Sequence, residues 1–324
     1  VSGAVKSVGL IGLGNAGGPV GERLLQAGCT LKIFDLNPDR MAELERRGAI
    51  AAISPAQAVS EITIVLLPSA IEVRAAIYGE HGVLAGMKPG STLIDLSGTD
   101  PDCARELDGE ITARGGYFVG GTVHAAGAPA TTIPQGKISL VIGGKKLALD
   151  NSIDVLDHLA RKIICVPEPW IPKSMKLAII MFAAIESAAT AEIMTWLVGQ
   201  EIDPRMFRDV IRVTGSNATQ RVEEFFRRHE RTGGTLSNIR KDLRQSLSVA
   251  RDKGVPLLVT SLVDQLAETA AKRTGDRIRP SAALATLYET LAHVDMSASV
   301  AASPKAERTD VPEGKVIYVG KFQE

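Results

Sequence analysis

The chain has 324 residues with 37 basic and 37 acidic side chains, so its formal charge is zero, and 45% of it is hydrophobic. Nothing in that balance points to nucleic acid or a membrane surface as its main partner, and it describes a globular protein long enough for two domains. Three cysteines, Cys29, Cys103 and Cys165, stand far apart with no C-x-x-C pair, which predicts reduced thiols and a cytoplasmic protein rather than a disulfide framework.

An apolar run from residue 5 predicts a first strand, and it stops at Gly12. Gly12, Leu13, Gly14, Asn15, Ala16 and Gly17 then spell G-x-G-x-x-G, and Val20, Leu24 and Ala27 open a helical pattern on one face. In such a turn the first glycine permits the sharp reversal, the second lets a pyrophosphate approach bare backbone, and the third lets helix and strand pack closely. The helix start then offers N–H groups and the positive end of its dipole to the phosphates. Gly28 fits a helix C-cap, residues 31–34 read as a second strand, and Asp35 closes that strand about 20 residues past the glycines. There a carboxylate can accept bonds from the adenosine ribose hydroxyls, with Leu36 following it, and it would repel a 2′-phosphate. NAD is therefore preferred to NADP.

Asn37-Pro38 starts a helix that ends at Gly48. Residues 62–67 form a continuous apolar strand stopped by Pro68, as expected of a strand buried on both faces. A helix through Val73 and Ile77 follows, then a strand at 92–96, then a helix from Asp100-Pro101 to Gly115-Gly116. Short strands are predicted at 117–119, 138–142 and 163–166, with a Gly/Ala-rich loop after 119. This alternation gives an α/β domain with a doubly wound, mostly parallel sheet over residues 1–170. From there no convincing strand remains. A long interdomain helix is expected over 171–199, leading into an all-α C-terminal domain that ends near 296, with helices from Asp203-Pro204 and at about 217–229, 236–253, 257–274 and 281–292. Its most apolar segment, 177–198, is interrupted by Glu186 and Glu192 and reads as a buried helix of a soluble domain, with both glutamates buried. Glu223, Glu224, Arg227 and Arg228 read as a solvated face. Residues 297–324 read as a tail, with an edge strand at 315–319. The five histidines (His81, His124, His158, His229 and His293) are scattered, and no metal site is expected.

Several motifs recur together: the glycine turn with Asp35-Leu-Asn37, Leu67-Pro68, Lys88-Pro-Gly-Ser91 before Asp95-Leu-Ser97, Asp100-Pro101, Lys176-Leu177 and Lys241-Asp242-Leu243. In order and spacing they resemble the β-hydroxyacid dehydrogenases, the family of 3-hydroxyisobutyrate dehydrogenase, tartronate semialdehyde reductase and their 6-phosphogluconate dehydrogenase-type relatives. The resemblance covers residues 5 to about 292. It implies a Rossmann-type first domain and cofactor contacts from Gly12 to Gly17, Asp35, Leu36, Leu67, Pro68, Ser97, Gly98 and Lys241. It also implies a homodimer or homotetramer and a small-molecule substrate. By composition Lys173 and Lys176 are equal candidates for the catalytic lysine. The resemblance selects Lys176 as the group that stabilises charge on the substrate oxygen and moves its proton.

On the substrate side the pattern departs. The family's Asp-Ala-Pro-Val-Ser-Gly-Gly stretch aligns with residues 120–126, placing His124, Ala125 and Ala126 at the Ser-Gly-Gly positions. The family's substrate-binding Asn is Ile180, beside Ile179. These changes imply a bulkier or less polar substrate than the small hydroxy acids. An NAD-dependent alcohol–carbonyl oxidoreductase is the leading expectation. An imine reductase-like enzyme and a non-catalytic NAD-binding scaffold are the alternatives.

Overall fold

The computed structural model describes residues 6–125, 128–215, 218–228 and 234–296. Ala126 and the segment expected to form a tail and edge strand lie outside them. The chain divides into two compact units, Val1–Lys176 and Leu177–Glu324. The division falls six residues inside the long helix that had been expected to belong wholly to the second domain.

The described residues of the first unit form eight strands: β1 (Ser7–Ile11), β2 (Thr30–Phe34), β3 (Ile50–Ala51), β4 (Ile62–Val65), β5 (Thr92–Asp95), β6 (Tyr117–Ala125), β7 (Ile138–Gly143) and β8 (Lys162–Val166). They lie in the order β3-β2-β1-β4-β5-β6-β7-β8. Only β6 and β7 are antiparallel. The connecting helices are α1 (Gly17–Gln26), α2 (Pro38–Glu45), α3 (Pro55–Ala58), α4 (Ala70–Ile77), α5 (Val83–Gly86), α6 (Pro101–Ala113), α7 (Pro129–Thr132) and α8 (Lys146–Asp157).

Central strands explain themselves from sequence. Every residue of β4 and β5 is buried, because helices cover both faces of a parallel sheet. Alternate side chains feed two cores: Val8, Leu10, Ile62 and Ile64 on one side, and Ile11, Val65 and Leu93 on the other. The helix starts follow the expected chemistry. The Asn37 side chain accepts from Asp39 N–H, and the Asp100 side chain accepts from Cys103 N–H, each with proline at the next position. Strand order reverses between β1 and β4, and the carboxyl ends of those strands open the crevice where a doubly wound sheet takes its ligand.

One local expectation is corrected. The Gly/Ala-rich stretch after residue 119 is not a loop but the second half of β6, with His124 opposite Ser139 in the ladder to β7. Its glycines serve close packing rather than a turn. A Cβ on Gly120 would lie 2.0 Å from the Pro169 carbonyl oxygen, and one on Gly121 would lie 2.6 Å from Leu96 Cδ2.

The helix α9 (Ile171–Gly199) runs from the first unit into the second, which continues with α10 (Pro204–Thr214), α11 (Thr219–Phe226), α12 (Leu236–Asp252), α13 (Leu258–Thr274) and α14 (Pro280–Ala292). In the second unit one face of α9 enters the core through Ala184, Ala188, Ala191 and Met194. By length and hydropathy alone α9 could cross a bilayer, but its acids are held within the unit. Half-buried Glu186 pairs with Arg221 at 2.6 Å, and Glu192, exposed rather than buried, accepts from the Tyr288 hydroxyl at 2.9 Å. Arg228 is also not on a solvated face. It is 2% exposed and stacks 4.5 Å over the Phe225 ring, because guanidinium planes pack well on aromatic faces.

Candidate functional site

A cavity of about 1030 Å³ opens at the carboxyl ends of β1, β2, β4 and β5 in the first unit. Gly12, Gly14, Asn15, Ala16, Asp35, Leu36, Leu67, Pro68, Ser97, Gly98, Ala125 and Lys176 all line it. Leu13 and Gly17, expected at the same site, are buried within the turn and do not line the cavity. The turn is shaped as its glycines require. Gly12 has φ +90°, and a Cβ there would sit 2.4 Å from the Leu66 carbonyl oxygen. A Cβ on Gly17 would lie 1.8 Å from the Gly12 carbonyl oxygen. Gly14 differs: a Cβ there meets nothing nearer than Arg40 Nη1 at 4.0 Å, so this glycine leaves open space for a ligand to approach the backbone. The N-terminus of α1 follows directly, and the residues present fit a dinucleotide pyrophosphate.

Asp35 sits at the end of β2 with its carboxylate fixed by two backbone donors. Leu13 N–H lies 2.6 Å from Oδ2 and Asn37 N–H 2.8 Å from Oδ1. Arg40, on the first turns of α2, brings its guanidinium to 3.7 Å from Oδ2 and also lines the cavity. The glycine-turn motif and Asp35 do not point to this arginine. The signal was an arginine five residues downstream, placed beside the acid by the intervening turn. Thr122, Glu72, Tyr78 and His81 are further wall residues that the motifs did not single out.

The two candidate lysines have separate places. Lys173, in the first turn of α9, is sealed from solvent. Its ammonium lies 2.9 Å from Asp95 Oδ2 and donates to the carbonyl oxygens of Asp95 (3.1 Å), Ser97 (3.0 Å) and Gly121 (2.9 Å). Every donor is engaged and the side chain is sealed, so this amine does not reach the cavity. Asp95 carries the compensating charge. Burial alone would raise its pKa, but the Lys173 ammonium and the hydrogen bond from Ser97 N–H hold it below the usual carboxylate range. Lys176, one turn further along α9, lines the cavity. On the opposing strand His124 is half-buried with Nε2 2.9 Å from Thr122 Oγ1. Burial first, and the Lys176 ammonium second, push its imidazole below the ordinary histidine range, so the ring is neutral at neutral pH. The cavity wall here is formed by Thr122, Val123 and Ala125 rather than by the imidazole itself. Ser97, expected at the cofactor, lines the cavity while its hydroxyl is bonded behind it: Oγ accepts from Leu67 N–H at 2.9 Å and donates to the Val65 carbonyl at 3.3 Å. In the second unit, Lys241 lies on α12 with its ammonium 3.6 Å from Asp242 Oδ1. Ile179 and Ile180 follow Lys176 on α9. Among the described residues no group of three or more His, Cys, Asp or Glu side chains is arranged to hold a metal.

A sheet whose strand order reverses beside this glycine turn, with an acid at the end of β2, defines a dinucleotide-binding protein of the doubly wound class. Comparison with known proteins narrows the class. Residues 7–167 match the NAD binding domain of 6-phosphogluconate dehydrogenase, and residues 173–287 match the NAD-binding region of NADP-dependent 3-hydroxyisobutyrate dehydrogenase. The mitochondrial 3-hydroxyisobutyrate dehydrogenase of Mus musculus is 28% identical over 209 residues, and the match spans 64% of this chain and 62% of that protein. The L-threonate dehydrogenase of Cupriavidus necator is 26% identical over 267 residues, covering 81% and 89%. The structure of Mycobacterium tuberculosis 3-hydroxyisobutyrate dehydrogenase with L-serine superposes with a TM-score of 0.77 at 22% identity, covering 88% and 99%. The chain belongs to the β-hydroxyacid dehydrogenase family.

Proposed function

We propose that this protein is an oxidoreductase that interconverts an alcohol and a carbonyl, with a nicotinamide dinucleotide held over the carboxyl ends of β1 and β4. The observation that carries the reading is the placement of Lys176 on the cavity wall while Lys173 is sealed away. The dinucleotide, when bound, supplies or takes up the hydride. Gly12, Gly14 and the start of α1 would hold its phosphates, Asp35 its adenosine ribose, and Leu67, Pro68 and Gly98 the walls beside it. Lys176 offers an ammonium to the oxygen on which negative charge develops and delivers the proton there. In the oxidative direction the same amine takes the hydroxyl proton. His124, kept neutral beside it, adds polarity without a second positive charge.

The substrate we propose is a hydroxy acid, or a related alcohol, bulkier or less polar than hydroxyisobutyrate. Ile180 stands where the family resemblance places an amide, with Ile179 beside it, and Ala125 lines the cavity where a glycine is expected. One lost hydrogen-bond partner in a buried site weakens recognition by roughly 1–3 kcal/mol. Asp35 supports NAD over NADP, and the Arg40 guanidinium 3.7 Å away narrows the margin. Three free thiols fit a reducing compartment such as the cytoplasm. The exposed apolar stripe on α9, Ile179, Phe182, Ile193 and Trp196, supports assembly as a homodimer or homotetramer.

The test is turnover of a panel of small and bulky hydroxy acids and alcohols with NAD and NADP, for the native protein and Lys176→Ala. The native protein should turn over bulkier members best, and Lys176→Ala should lose about 10²–10⁴ in kcat while still binding NADH. Near-native kcat in that variant, or no hydride transfer by the native protein, overturns the reading. Strong turnover of 3-hydroxyisobutyrate overturns the substrate class.

A further inference from the structure

The Lys173 ammonium is the centre of a connected set of bonds, not one end of an isolated pair. Its three carbonyl acceptors lie on the end of β5 (Asp95), the loop that follows (Ser97) and the middle of β6 (Gly121). The Asp95 carboxylate that balances it also accepts from Ser97 N–H at 2.9 Å and from the Thr99 hydroxyl at 2.8 Å. Ser97 passes the connection to β4 through Leu67 N–H and the Val65 carbonyl. One buried amine thus ties the loop after β4, the loop after β5, β6 and the first turn of α9. The cavity-lining residues Leu67, Ser97, Gly98, Thr122 and Lys176 are on these same segments.

A cation at this point is not what stability alone selects. The first turn of a helix is the positive end of its dipole, where another positive charge is disfavoured. A buried ion pair is often no more stable than a well-packed apolar pair of the same volume. What the ammonium provides, and an apolar side chain cannot, is several directional donors that fix carbonyls of different segments at about 3 Å.

We propose that Lys173 is a positioning residue: it sets the register of these segments against α9, and so places Lys176, about 4.5 Å further along the helix axis, at the reacting oxygen. This rests on the reading of Lys176 given above. It makes the N-terminus of α9 part of the site through backbone rather than through contact with a ligand.

The experiment uses the full chain and two variants, Lys173→Met and Asp95→Asn/Lys173→Met; the second leaves no buried charge unbalanced if the first does not fold. Amide hydrogen exchange is followed in residues 64–68, 95–99 and 120–123, with β1 and β2 as internal reference. kcat, KM and the isotope effect of deuterated alcohol are measured with the best panel substrate at saturating NAD. The double variant should keep reference protection and exchange at least tenfold faster in the three segments. Its kcat should fall at least 30-fold with a larger isotope effect, and substrate KM should stay within threefold. Unchanged exchange in those segments overturns the proposal. So does faster exchange with native kcat, which is what a purely structural pair would give. If the native protein transfers no hydride at all, the reading of Lys176 fails separately. The tether is then decided by exchange and NADH titration: faster exchange with at least tenfold weaker NADH binding supports it, and unchanged values overturn it.

Discussion

Replacing Gly17 by alanine puts a methyl carbon 1.8 Å from the Gly12 carbonyl oxygen and 2.8 Å from the Gly12 carbonyl carbon. Both neighbours are backbone, so no side chain can swing aside, and the turn must open by more than about 1 Å before the contact is tolerable. Overpacking of this kind costs about 1–3 kcal/mol, which lowers the melting temperature of a unit of this size by roughly 2–12 °C. Opening the turn also misaligns N–H donors meant for phosphate. Each charge-assisted bond is worth about 1.5–3 kcal/mol, so NADH affinity should fall by about 10²-fold or more. Two neighbours serve as controls. Gly14→Ala meets nothing within 4.0 Å except the Arg40 guanidinium, so it should melt as the native protein does but lose NADH affinity, because its methyl occupies the space left for the pyrophosphate. Gly18→Ala lies 3.5 Å from the Leu13 carbonyl oxygen, an ordinary contact, on the first turn of α1. It should bind NADH within threefold of native and gain at most about 0.5–1 kcal/mol of stability. Thermal melts and fluorescence titration with NADH read all three. Native affinity in Gly17→Ala, or equal losses in all three variants, would refute the assignment of roles within the turn.

The Lys176 ammonium is the second of two causes holding the His124 pKa down, so Lys176→Met should raise the imidazole titration seen by NMR, though burial keeps it below the ordinary value. An unmoved titration separates the two side chains. Because the fold holds the neutral ring, His124 contributes stability above about pH 6.5 that is withdrawn as pH falls below that value, and His124→Gln should flatten this part of the stability profile. On α9, Phe182 and Trp196 are 63% and 61% exposed. Burying such a side chain in an assembly is worth about 1.5–3 kcal/mol, so Phe182→Glu/Trp196→Glu should convert the proposed oligomer to monomer by light scattering with its melting temperature in dilute solution little changed. A native monomer, or an oligomer indifferent to both changes, removes α9 from the interface.

Most of the first unit could be read from the sequence because its signals are local. The glycine turn, Asp35, Asn37-Pro38 and Asp100-Pro101 each state their conformation within a few residues, and β4 is too apolar to lie anywhere but the middle of the sheet. The second half of β6 could not be read this way. Glycine and alanine in a row carry the composition of a loop, and what makes Gly120 and Gly121 strand residues is the approach of Pro169 and Leu96 from distant parts of the chain. The same holds for the lysines. Lys173 and Lys176 lie three residues apart with equivalent chemistry, and only the carbonyls of β5 and β6 converging on one of them reveal which is buried. Arg40 was hidden for a smaller reason: five residues of sequence separate it from Asp35, while the turn into α2 brings the two within 3.7 Å.

That β6 carries His124 on a paired strand has a consequence for how this family member could change its preferences. A binding loop adapts by gaining or losing residues, each insertion reshaping the wall a little. A laddered strand has no such freedom, since one added residue turns every following side chain to the opposite face. Thr122 and His124 share a face and Val123 and Ala125 the other. Selectivity along this wall can therefore drift only by substitution, and a library built on 122, 123 and 125, the positions that line the cavity, samples it more fully than any change in length.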